Sequence, residues 1–519
     1  MRQAREPKTQ QGAPTSLSES MQAPVKGWNT RDPISNMDPG FATKLENWFP
    51  QTNDIRVRKG NSQHLTGLGG AVETLMCYNQ GDGTQTLFAA EGTDFYDATS
   101  AGAAGAAVVS GLTNARWNYE NFTNSGGTSY LMAFNGVDSP QYWNGSAWIA
   151  ITGVSSPAIT GVTPTNLKFP IVHKRRVFLI EKDSLKLWYL PIDAVGGAAQ
   201  AFDLSGIANK GGYLVAGATW TIDGGEGMDD HLALMTSEGQ ILVYSGTNPA
   251  SNYVLVGVWN LGEPLTERCM YKYKGDVLLL LKEGLLPLSS ALQAAGGDPS
   301  AAFTFNIQPT FNEAARNYAT NFGWQVIHYP AGNMIIANIP VLEGSNQEQY
   351  AMNTITGAWC RFTNIDASCW GICGGDIYFG KEGGVNKFWD TEADVSANID
   401  ADIRHAFSYF NAPAQIKNLN ALRPNILSNG APTLKVGVNT DFQDQNVIGS
   451  LSYAGSAFGL WGNNWGSMVW GGDLNFFGQW VTAPGVGTAI APRIKLSTSG
   501  LEVRYAAMDI LYESGTPIG

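Results

Sequence analysis

Charge is scarce in this chain. Only 15% of its 519 residues are Asp, Glu, Lys or Arg, against about 25% in an average soluble protein. Acids outnumber bases, leaving a formal net charge of −12. A nucleic-acid reader needs clustered cations to neutralise phosphates, so this balance disfavours a nucleic-acid reader. A wall past which nucleic acid slides is not excluded. Cysteine is scarcer still. Cys77, Cys269, Cys360, Cys369 and Cys373 are odd in number and scattered, which is no disulfide scaffold. Cys360, Cys369 and Cys373 match no common zinc spacing, so buried thiols are expected there. Long apolar runs are missing as well. The most apolar window, 277–292, is broken by Lys282, Glu283 and Pro287 and is too short to cross a bilayer. The amino terminus begins with cations but has no apolar stretch behind them, so no secretory signal is expected. The chain is expected to fold in a cytoplasm without stable membrane insertion.

Catalytic signatures are equally sparse. The chain has no G-x-x-x-x-G-K-[ST], no H-E-x-x-H and no G-x-S-x-G, so no phosphate loop, zinc protease helix or nucleophile elbow is expected. Its five histidines (His64, His173, His231, His328, His405) stand far apart, and no local pattern supports a triad. The acidic run 223–230, with Asp223, Glu226, Asp229 and Asp230, offers oxygens suited to Ca²⁺ but lacks EF-hand spacing. A solvated loop is its simpler reading. No cofactor and no enzymatic activity are expected.

What the chain has instead is turns and aromatics. Gly, Ser, Thr, Asn and Gln supply its polarity, and aromatics reach 11%, the texture of a β protein. From about residue 65 to 390, an apolar strand, a short polar turn and a second strand recur. The seven instances begin at Leu87, Tyr130, Val177, Leu232, Val277, Met334 and Ile377. Turns such as Glu91-Gly92-Thr93-Asp94, Ser237-Glu238-Gly239-Gln240 and Lys381-Glu382-Gly383-Gly384 are expected to be hairpin connections. A spacing of roughly 40 to 55 residues is the period of propeller blades. The fold class is therefore all-β: a β-propeller of about six to eight blades, with a sandwich-like platform domain built from the two chain ends. The apolar runs at 277–281 and 334–337 are expected to be inner strands. The inserts 98–111 and 196–227 are expected to be a mobile loop and an irregular excursion.

The expected domains are a disordered arm at 1–25, a strap and platform strand at 26–64, the propeller at 65–390 and a carboxy-terminal β domain at 391–519. Within the strap, prolines at 33, 39 and 50 rule out a long helix. Residues 41–49 are expected to form a short helix or turn. Ile55-Arg56-Val57-Arg58 is expected to be a strand that adds to the closing domain. The last domain carries a Trp/Gly-rich stretch, 458–480, with Trp461, Trp465, Trp470 and Trp480. Three readings stay open for it: β core, subunit interface, or a distal loop at an envelope.

The order of several loose motifs resembles one family, the tail nozzle proteins of short-tailed bacteriophages, also called packaged-DNA stabilisation or tail tubular protein B-like. The amino-terminal part is Gly27-x-Asn29, Pro33, Met37, Ala42, then Leu45-Glu46-Asn47-Trp48-Phe49-Pro50 and Val57-Arg58-Lys59-Gly60. Further pieces are Asn135-Gly136-x-Asp138-x-Pro140-x-Tyr142-Trp143, Lys174-x-Arg176-Val177-Phe178, and Trp220-Thr221-x-Asp223-Gly224-Gly225-x-Gly227-Met228-Asp229-Asp230. The resemblance implies a structural virion protein assembled in the host cytoplasm. Its copies, forming a homo-oligomer (a hexamer), would sit below the portal and its adaptor ring, meet tail fibres, retain packaged DNA and give it a channel. An acidic lumen repels phosphate, and the 223–230 loop is the candidate lumen segment. Trp28, Trp48 and Phe49 are candidate subunit or adaptor contacts. The alternative is a glycan-binding or glycan-degrading propeller. A WD-type scaffold rests only on Trp389-Asp390 and ranks last.

Overall fold

The computed structural model describes residues 16–223, 228–293, 299–447, 449–453 and 474–517. The chain divides into two compact units, one of residues 58–397 and one built from both chain ends, 1–57 and 398–519. The boundaries fall at 57/58 and 397/398, where 64/65 and 390/391 were expected.

The central unit is a β-propeller. Four of its blades are separate antiparallel sheets made from consecutive strands, and a fifth is the antiparallel run of four consecutive strands between Gln325 and Phe362. Their inner strands are Asn118–Thr123, Leu167–His173, Leu214–Asp223, Met270–Tyr273 and Gln325–Tyr329. One further sheet contains Cys369–Cys373, Asp376–Phe388, Asn61–Asn79, Gln85–Glu91 and Asp94–Asp97. Two of these strands are long and change partner midway. Asn61–Asn79 pairs with Asp376–Phe388 through its first half and with Gln85–Glu91 through its second. The sheet therefore supplies the first and the last blade. Its two arms enclose a shared apolar core of Leu75, Leu87, Ala89 and Tyr378. Seven inner strands result, each touching the next and the last touching the first, within the expected range.

The alternating apolar residues of each hairpin explain the blades, but three expectations change. The runs at 277–281 and 334–337 are second strands, buried because they lie mid-sheet. The insert 196–227 is not irregular: Gln200–Asp203 is the outer strand of blade 3 and Leu214–Asp223 the inner strand of blade 4. The segment Lys381-Glu382-Gly383-Gly384 is no hairpin turn but a bend within one strand. Gly384 has φ +159°, and a Cβ there would lie 2.0 Å from the Leu65 carbonyl oxygen, so only glycine lets the two strands meet. Among the described residues the main helices are Leu288–Gln293 and Gln308–Tyr318, and no helix is long and apolar enough to cross a membrane.

Where the chain enters and leaves the propeller, Arg58 has no exposed surface. Its guanidinium donates to both carboxylate oxygens of Asp394, at 2.8 and 2.6 Å, and to the Thr363 carbonyl at 3.1 Å. Asn61 donates to Asp394 as well, at 2.8 Å. A Cβ on Gly60 would lie 1.9 Å from the Ala393 carbonyl oxygen. The two ends of the propeller are packed backbone to backbone.

The other unit has two sheets. One joins Trp48–Pro50, Ile55–Val57, Gln415–Ser428, Asn475–Phe477, Val481–Gly487 and Val503–Pro517. Ile55 and Arg56 pair with Tyr505 and Arg504, so the strand at 55–57 joins the closing domain as expected. Ser16–Gln22 also pairs with this sheet. The expected disordered arm therefore ends in a strand, anchored by buried Met21; residues 1–15 lie outside the described residues. The second sheet joins Phe41–Glu46, Ile399–His405, Ile490–Thr498 and Thr433–Thr440. The expected helix at 41–49 is two strands, separated by Asn47 at φ +56°. The Asn47 side chain donates to the Asp400 carbonyl at 2.7 Å.

The two sheets face each other across buried His405, whose Nε2 shares a 2.8 Å hydrogen bond with the Tyr505 hydroxyl. Burial pushes this imidazole down to about 3, whereas an unfolded chain protonates histidine near 6.5. Between those values the unfolded state holds the extra proton, so stability falls as pH drops from 6.5 towards 3. The expected contribution is up to about 1.4 kcal/mol per pH unit. Urea unfolding of wild type and His405→Gln at pH 7.5 and 5.5 checks it. The variant should lose less stability on acidification, and equal losses would refute the assignment.

Candidate functional site

All seven inner strands run the same way along the propeller axis, so residues just before them gather on one face. Arg116 precedes blade 2, Glu267 and Arg268 precede blade 5, and Phe322 precedes blade 6. Glu73 stands where blade 1 begins. Arg116 pairs with Glu73 at 2.9 Å and with Glu343 at 3.2 Å. Both guanidiniums lie over the Phe322 ring, Arg116 at 4.3 Å and Arg268 at 5.3 Å, a cation–π arrangement. Arg268 also donates to the Thr74 hydroxyl at 2.8 Å and the Trp117 carbonyl at 3.1 Å. Glu267 accepts from Asn118 at 3.2 Å and pairs with Lys168. Blades 1, 2, 3, 5 and 6 are thus tied together by charge at this face.

Behind the cluster lies a cavity of about 280 Å³, bounded by the inner strands of blades 2, 3, 4 and 5. Its charged groups are Glu120 and Lys272, 3.5 Å apart, with Tyr271 and Phe169 beside them. Burial raises the Glu120 carboxyl above its usual range, and Lys272 opposes that rise. A glycosidase uses two carboxyl groups about 5 to 9.5 Å apart. Glu120 is the one carboxylate on this wall. At about 280 Å³ the cavity falls just below the about 300–1,000 Å³ typical of ligand pockets.

The residues singled out from sequence fall elsewhere. Strands Leu214–Asp223 and Met228–Thr236 pair as far as Asp223 and Met228, and residues 224–227 lie outside the described residues. Asp230 accepts from the Thr221 hydroxyl at 2.7 Å; Glu226 lies outside the described residues. Trp28, Trp48 and Phe49 are buried inside the chain-end unit, at 6%, 0% and 2% exposure. Their apolar surface is taken up by the chain's own core. Trp461, Trp465 and Trp470 lie outside the described residues. Trp480 is 41% exposed with the Arg423 guanidinium 5.1 Å from its ring. Among the described residues no group of three or more His, Cys, Asp or Glu is placed to hold a metal. Cys373 was expected as a buried thiol but is bonded to Cys77; Cys269, Cys360 and Cys369 are free and buried.

No protein-family model matches the sequence, and no curated protein is detectably similar to it. Among solved structures, the chain is similar to the extracellular domain of a hybrid two-component system from B. thetaiotaomicron, at 13% identity and TM-score 0.39. That likeness covers 74% of this chain and 51% of the other, so the chain spans about half the length of that structure. A second such domain from B. thetaiotaomicron gives 10% identity and TM-score 0.38, over 74% of this chain and 44% of the other. A glycoside hydrolase family 43 arabinoxylan arabinofuranohydrolase from Bacillus subtilis gives 8% identity and TM-score 0.25, over 90% and 95%. These are distant likenesses of β architecture, and no residue role passes from them.

The arginine cluster makes a testable statement about structure. Arg268→Met removes the hydrogen bonds to Thr74 and Trp117 and one of the two cations over the Phe322 ring. It should destabilise the propeller by about 2 kcal/mol, read as a lowered urea midpoint. An unchanged midpoint would show that blade packing alone holds this face.

Proposed function

We propose that this chain is a structural virion protein of the tail-nozzle kind, one of several copies around a channel that retains packaged DNA and lets it out at infection. The observation that carries the reading is the use made of residues 27–60. The stretch that resembles the nozzle signature binds the two chain ends into one unit and then closes the propeller. Asn47, Trp48, Phe49, Val57, Arg58 and Gly60 are all buried or sterically required. A signature spent on architecture fits a protein whose function is its shape.

In this reading the DNA channel lies between copies. The outer strand of blade 4, Val254–Asn260, suits such an assembly. It is an open edge on which Val254, Leu255 and Val256 are 62%, 37% and 49% exposed. Residues 239–262 contain no charge, so acidic copies can meet there without repulsion. An uncovered apolar edge is otherwise a hazard in a soluble protein. Portal, adaptor ring and tail fibres are the proposed neighbours, and the virion tail the proposed location.

The test is native mass spectrometry and electron microscopy of the purified chain with a portal–adaptor complex. A ring of six-fold symmetry is expected, and Val256→Lys should weaken it at least tenfold without altering the fold. A wild-type chain that stays monomeric with the adaptor present would contradict the reading.

A glycan-binding propeller is the second reading, favoured by one observation: Glu120, Lys272 and Tyr271 line one cavity. Screening host polysaccharides separates the two, since tight binding or cleavage without assembly favours the glycan reading.

A further inference from the structure

Propeller closure here has a covalent component. Cys77 stands on the inner strand of blade 1 and Cys373 at the end of the inner strand of blade 7. They are bonded to one another with Cα atoms 5.6 Å apart and 296 residues between them in sequence. The bond joins the same two blades that the strand pairing of 61–71 with 382–388 joins. A third link crosses the same seam, where Gln85 accepts from the Gly374 amide and donates to Asn79. Around the rest of the ring, the described blade-to-blade contacts are packing, hydrogen bonds and ion pairs, none of them covalent. Cys77 and Cys373 are 4% and 8% exposed, and Cys369 on the same strand is fully buried with a free thiol. Burial pushes the Cys369 thiol up to about 12, which keeps it protonated and unreactive.

We propose that the closure is a redox-sensitive clasp. With Cys77 and Cys373 as thiols, strand pairing and the Arg58–Asp394 ion pair alone hold the ring. With the disulfide formed, the first and last blades cannot separate. The oxidant is a small disulfide such as oxidised glutathione. The Cys373 thiolate, more exposed and next to the turn at Gly374 and Gly375, attacks one of its sulfurs and expels a thiolate. The Cys77 thiolate then attacks the Cys373 sulfur of the mixed disulfide and expels the second. Two protein thiols are oxidised, and one small disulfide becomes two thiols. A reducing compartment keeps the clasp open, and an oxidising one closes it. Because the crosslink spans most of the propeller, its effect falls on opening of the whole ring.

The experiment uses the full chain, treated with oxidised glutathione or with dithiothreitol. Alkylation after unfolding, mapped by mass spectrometry, should find Cys77 and Cys373 protected in the oxidised sample alone. Cys269, Cys360 and Cys369 should be alkylated in both. Unfolding in urea, followed by tryptophan fluorescence, should be at least tenfold faster for the reduced form. The Cys77→Ala, Cys373→Ala double variant should unfold at the reduced rate under both conditions. Free thiols at all five positions after oxidation, a different pairing, or equal rates for oxidised and reduced wild type would overturn the proposal. The wild-type comparison decides the matter even where the double variant does not fold.

Discussion

A guanidinium with no exposed surface has to be neutralised, and the way Arg58 meets that demand organises the propeller. Burying an unpaired cation costs several kcal/mol, so Arg58 and Asp394 must stay together once the unit is folded. Their separation in sequence spans nearly the whole propeller. The pair fixes the point where the chain enters against the point where it leaves, and Asn61 and the Thr363 carbonyl complete its hydrogen bonds. Gly60 against Ala393 and Gly384 against Leu65 permit the backbones to close in around it. A ring of hairpins is stable only when its last blade packs on its first, since an isolated hairpin is marginal. The ion pair turns that requirement into a defined geometry.

The rest of the unit follows from closure. The long strands Asn61–Asn79 and Asp376–Phe388 change partners so that one sheet supplies two blades. The inner strands then pack one against the next around the ring. Charges just before those strands meet on one face and tie together blades that no single sheet connects.

Much of the fold was legible because hairpins repeat their alternation locally. The runs beginning at Tyr130, Val177, Leu232, Val277 and Met334 each became a strand pair within one blade. The strand at 55–57 was legible for the same reason, since Ile55 and Val57 alternate with arginines. Misreadings arose where a single backbone position overrode the pattern. Asn47 in a left-handed conformation made two strands of a segment with a helical apolar face. Gly383 and Gly384 look like a hairpin turn and serve as a bend in one strand. The site was not legible at all. Glu73, Arg116, Arg268, Phe322 and Glu343 share no motif and meet only because each stands beside an inner strand or a loop of the same face. Trp28, Trp48 and Phe49 drew notice as large aromatics, but residue type does not tell a core ring from an interface ring.

The central claim is that the propeller is one cooperative body held by the Arg58–Asp394 closure. Hydrogen exchange on the full chain carrying Asp394→Asn tests it most directly. The account predicts that the inner strands of all the blades lose protection together, while Ser16–Gln22 and Val503–Pro517 of the other unit keep theirs. Loss confined to residues around 58–61 and 391–397, with the blades as protected as in wild type, would contradict it.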